Sequence, residues 1–154
     1  MVKPTKFSFG GTAGIVTSMA LLVGLHATNA GRATLIGALL VVAVADNLTD
    51  SLSVQMYQES EHRERWEAIL GTLTNFTTRF FVCLTFVGIV TLSWEHAVVI
   101  GISWGLVLLA VMSYLVARGR SANVFAEIAK HVGIAVLVIL VSEGIGHWIT
   151  RHVS

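Results

Sequence analysis

The sequence predicts an all-α, polytopic membrane protein, a single membrane domain over residues 1–154 with five transmembrane helices, and three observations carry that prediction. Apolar residues make up 55% of the chain and charged ones only 12%, about half the charged share of an ordinary soluble domain. The mean hydropathy of +0.77 comes from apolar stretches of about 20 residues, the length that crosses a hydrocarbon core. The polar breaks between these stretches are too short to hold a separate soluble domain. A net charge of +1 supplies no basic patch for phosphates, which argues against nucleic acid as a partner. The lone cysteine, Cys83, lies in an apolar run and reads as a small core residue.

The expected spans cover 10–29, 33–57, 74–93, 96–117 and 129–150. The first follows Lys3 and Lys6, a start that superficially suggests a signal peptide. The stretch continues into a Gly/Ala/Ser-containing helix in an equally apolar chain, so it reads as a retained span. The sole proline is Pro4, which leaves every span free of proline kinks. Gly10, Gly14 and Ser18 recur every four residues, and small residues at that interval let helices approach closely in lipid; they are expected at a homodimer contact. Met19 lies at the depth of the second span's aspartates and offers a soft thioether to a metal, although such a methionine is more often filler.

The second span is apolar to Val44 and then carries Asp46, Asn47 and Asp50 near the expected bilayer centre. An ionised Asp there costs about 2.5–3.5 kcal/mol. At 100° per residue, Asp46, Asp50, Ser53 and Tyr57 share a narrow face running to the cytosolic end. One reading is half of an ion pathway, with oxygen ligands for a cation or carboxylates that exchange protons. The other is a hydrogen-bonded seam that only fixes packing. Two aspartates favour the pathway. Beyond them Glu59 and Glu61, with His62, Glu64 and Glu67, form an acidic mouth that can concentrate cations. The interspersed Arg63 and Arg65 suit a salt-bridged surface equally well.

The third span holds Arg79 near its cytosolic end, positioned to snorkel or to pair with an acidic residue. Glu95 and His96 form the next connection, and Trp94, Trp104 and Trp148 read as interfacial anchors. In the fifth span Glu143 and His147 stand one helical turn apart, a pair that can share a metal or relay a proton along an ion path. His26 closes the first span at the same end.

With five spans, Lys3, Lys6, Arg63, Arg65, Arg118, Arg120 and Lys130 gather on one side and only Arg32 and Arg151 on the other. The positive-inside rule puts the N-terminus in the cytosol and the C-terminus outside or in a lumen; the short spans are compatible with a bacterial inner membrane.

The first two helices also resemble a known family. The stretch from Phe9 to Gly24, FGGTAGIVTSMALLVG, resembles the opening helix of the vacuolar iron transporters, roughly FGxNDGLVTTFALVAG. The stretch ADNLTDSLS from Ala45 to Ser53 resembles that family's second helix, roughly ANLIADALSMGxGEY. The likeness covers about the first 60 residues. It implies a homodimer with a central pathway that exchanges Fe(II) or Mn(II) for protons, with the metal as cargo and no permanently bound cofactor. It aligns the family's intramembrane aspartate with Asp50 and the following serine with Ser53. The family's other acidic and methionine ligands fall on Ala13, Val54 and Gln58, and its cytosolic metal-gathering domain is reduced to a short acidic connection.

The expectation is therefore a transporter of a divalent cation or protons centred on Asp46 and Asp50, or a non-transporting scaffold that kept the fold and lost the site. No nucleophile–base arrangement points to an enzyme.

Overall fold

A computed structural model describes the backbone of residues 5–60, 65–119 and 123–153, and the side chains of these residues except 5–10, 65 and 67. Every regular element among them is helical. The helices are α1 (Thr5–Ala27), α2 (Arg32–Ser60), α3 (Arg65–Leu92), α4 (Ala97–Gly119) and α5 (Val124–His152). Helix α2 contains one π turn, Val42–Asp46, and a single 3-10 turn, Trp94–His96, links α3 to α4.

Four of these helices are long and apolar enough to cross a membrane, and the described apolar stretch of α1, Gly11–Ala27, is shorter. The chain thus has the character of an integral membrane protein. Helices α2 and α3 extend further than the spans expected at 33–57 and 74–93. The acidic connection is mostly helix, α2 running to Ser60 and α3 starting at Arg65. Residues 61–64, with Glu61, lie outside the described residues.

The chain turns between α1 and α2 through a left-handed Asn29, φ 57°. Its N–H donates to the His26 carbonyl at 2.9 Å, and that of Ala30 donates to Leu25 at 3.1 Å. This pairing satisfies the last carbonyls of α1. Asn123 caps α5, its side chain accepting from the N–H groups of Phe125 and Ala126.

Helix α1 is the central element and packs on α3, α4 and α5, while α2 lies mainly against α3. Close approach comes from small residues. Ala97, Gly101, Gly105, Leu109 and Ser113 recur every four residues on the buried face of α4, and Leu22 and Met19 seat against the two glycines. On the far side of α1, a Cβ at Gly146 would fall 2.5 Å from the Gly24 carbonyl oxygen and 2.6 Å from Ala27 Cβ. The Thr150 hydroxyl donates to the Ala27 carbonyl at 3.0 Å and ties the same ends together. Among hydrocarbon tails such packing, not hydrophobic burial, holds helices together.

One expectation changes here. Gly14 and Ser18 are buried inside the chain: a Cβ at Gly14 would come 2.9 Å from Arg79 Cγ, and the Ser18 hydroxyl donates to Cys83 Sγ at 3.5 Å. Their small-residue face serves α1–α3 packing, so it is not free for a second copy. Gly10 belongs to the same helix, but its surroundings lie outside the described residues. Met19 is fully buried against Gly105 as core filler.

Candidate functional site

Polar residues concentrate on the α2–α3 seam. Leu35, Leu39, Ala43, Asn47 and Ser51 are the buried positions of α2, spaced by four. Rows at this spacing are ordinary helix-packing ridges, and within this one α2 carries its single π turn, which ends on Asp46. Single π turns within α-helices recur at functional sites.

Asp46 is the middle residue of α2, and Arg79 sits about midway along α3. Of the two expectations for Arg79, snorkelling or pairing with an acidic residue, the guanidinium takes the second. One Nη bonds to Asp46 Oδ2, and the other lies 2.9 Å from Asp50 Oδ2. Side-chain exposures are 5% for Arg79, 34% for Asp50 and 50% for Asp46. The cation is sealed in while one carboxylate stays half open.

Amides extend the network. Asn75 Nδ2 donates to Asp50 Oδ2 at 3.2 Å and to Ser51 Oγ at 3.3 Å. Asn47, fully buried, donates to the Phe76 carbonyl at 2.8 Å. Buried Arg79 Nε, Asn47 Oδ1, Asn75 Oδ1 and Gln58 Oε1 have no hydrogen-bond partner among the described residues. Such orphans carry a desolvation cost of about 1–3 kcal/mol each. All four lie on the α2 and α3 helices that form this seam.

The remaining expected residues fall elsewhere. Ser53 and Tyr57 are exposed, and the Ser53 hydroxyl donates back to the Thr49 carbonyl at 3.0 Å. Glu59 is exposed and accepts from Gln55 Nε2 at 3.0 Å. At the opposite end Glu143 and His147 line a cavity of about 320 Å3 together with His26, Asn29 and Thr150. His147 Nδ1 lies 3.0 Å from the Glu143 backbone oxygen, so the ring is oriented by the main chain and not by the carboxylate. Among the described residues, no three His, Cys, Asp or Glu side chains converge to hold a metal ion.

Chemically, the seam presents two carboxylates that share one guanidinium. With both ionised it carries one formal negative charge. The aspartates and Arg79 are visible in sequence as charges within apolar runs. Asn47 is visible beside them, but Asn75 carries no comparable signal, since a lone amide among threonines and apolar residues is ordinary.

No protein-family model, curated protein or solved structure matches the chain. The likeness of the first two helices to the iron transporters therefore rests on their motifs alone.

Proposed function

We propose that the chain is a multi-pass membrane transporter that moves positive charge through Asp46 and Asp50. The cargo is protons, or a divalent cation such as Fe(II) or Mn(II) exchanged against protons. The observation that supports this best is the charge count at the seam. A packing contact needs one carboxylate for one guanidinium; here two carboxylates meet one, and the half-exposed Asp46 lies at the midpoint of its helix. An uncompensated charge at that depth costs about 2.5–3.5 kcal/mol, and helix packing supplies no reason to keep it.

In this reading α1 is the fifth crossing, the N-terminus is cytosolic and the C-terminus is outside or lumenal, following the Lys/Arg asymmetry. A homodimer fits as well. The outer face of α2 exposes Asp46, Thr49 and Ser53, a polar strip that lipid solvates poorly and a second copy can cover.

A second reading has one specific observation in its favour. Arg79 is sealed and grips two positions of α2, as expected of a scaffold subunit whose ion pairs only fix helix positions. Proteoliposomes holding a pH dye separate the two. A transporter moves protons when a proton gradient, Mn(II) or Fe(II) is applied. Assembled, correctly inserted protein that moves none under any of these gradients would leave the scaffold.

A further inference from the structure

We infer that Arg79 is a built-in counter-cation that sets the valence of what Asp46 and Asp50 accept. With the guanidinium in place the pair takes one positive charge, a proton or a monovalent cation. It takes a divalent cation only when the guanidinium is withdrawn. The inference deepens the transport reading and draws its biological meaning from it, but it is testable by binding alone.

Three features of the seam support it. First, the guanidinium reaches both carboxylates, bonding Asp46 Oδ2 through one nitrogen and standing 2.9 Å from Asp50 Oδ2 through the other. It therefore occupies the space that a bridging cation needs. Second, these carboxylates are the only hydrogen-bonding or ion-pair partners of Arg79 among the described residues; its Nε is buried without a partner. No other described polar group anchors the head group, so a cation that engages the carboxylates competes directly with what holds it. Third, the stem of Arg79 rests on Gly14, where any Cβ would lie 2.9 Å from Cγ. The missing side chain leaves the stem room that another residue would fill. Arginine also stays protonated where a lysine could lose its charge, so the compensation cannot be switched off by titrating the cation itself.

The carboxylates keep capacity for an incoming ion. Among the described residues both contacts of Arg79 and the contact of Asn75 fall on Oδ2 atoms, and no protein donor bonds Oδ1 of either aspartate. Asp46 is the more accessible entry point, being half exposed.

The test uses full-length protein purified in mild detergent, with thermal unfolding followed as Mn2+ is added. Wild type, Arg79→Gln and Arg79→Gln/Asp46→Asn are compared; the last keeps the wild-type formal charge without the arginine. The expected result is half-maximal stabilisation of Arg79→Gln at an Mn2+ concentration at least about tenfold below that of wild type, as a second uncompensated carboxylate predicts. The double variant should respond weakly again. Equal titrations of wild type and Arg79→Gln would overturn the inference, as would a response that survives Asp46→Asn.

If Arg79→Gln leaves the membrane aggregated, extraction with Mn2+ becomes the readout. Recovery of a monodisperse peak means that the metal replaces the guanidinium, and failure to recover it counts against the inference. A wild type that moves no ions but shows the Arg79-dependent titration would sink transport alone. One that transports without any Arg79 dependence would sink this inference alone.

Discussion

At the scale of single residues, everything turns on one guanidinium between two carboxylates. Removing the cation leaves two partly exposed carboxylates without their partner, which costs less than the loss of one member of a fully buried pair. Arg79→Ala should therefore lower stability by about 1–3 kcal/mol in denaturant titrations in detergent. Replacing Arg118, exposed and stacked over Tyr114, should change it by less than about 1 kcal/mol. Equal effects would mean that Arg79 holds nothing. Asp46, Asp50 and Arg79 were each legible in the sequence, because a charge inside an apolar run has few bland explanations. Their union was not, since it depends on how α3 is set along α2, which no local residue pattern announces. Asn75, which joins Asp50 to Ser51, was illegible because a neutral amide among threonines stands out from nothing around it.

At the scale of elements, the small-residue rows decide which helices meet. The rows at Gly101/Gly105 and Gly24/Gly146 admit Met19, Leu22 and the backbone of a neighbour. The row at Gly14/Ser18 admits Arg79 and Cys83. Sequence shows that such a row favours close contact, but the pattern is the same whether the partner is another helix of the chain or a second copy. The structure assigns the α1 row to the chain's own interior. Gly14→Leu should then overpack the α1–α3 contact and destabilise the chain by about 1–3 kcal/mol. The fraction of folded protein that is oligomeric should stay the same, read by size exclusion with light scattering. Loss of the oligomer at an unchanged unfolding midpoint would return the interface to Gly14.

For the whole molecule, α5 and the outer face of α2 remain largely uncovered. Lipid can cover apolar α5; the polar strip on α2 asks for a second copy. A cysteine introduced at Ser53 should form a disulfide-linked dimer in membranes, whereas one at Leu137, exposed on α5, should not. The converse pattern would place the interface on α5. Five crossings require cysteines at Lys3 and Ser121 to label from one side and those at Glu95 and Ser154 from the other. Labelling of positions 3 and 154 from the same side would contradict the span count. The overall class was readable because composition and apolar run length are global properties. Helix ends were not, because α2 and α3 continue past their apolar runs into charged sequence.

If the carboxylate pair carries charge and does not merely knit α2 to α3, removing both charges must stop transport. Proton flux into proteoliposomes containing the Asp46→Asn/Asp50→Asn variant decides this, because the amides keep much of the hydrogen bonding. The variant should still fold and assemble but lose at least about 90% of wild-type flux, with Asp50→Asn alone more severe than Asp46→Asn. Wild-type flux in the double variant would leave the pair a structural contact only.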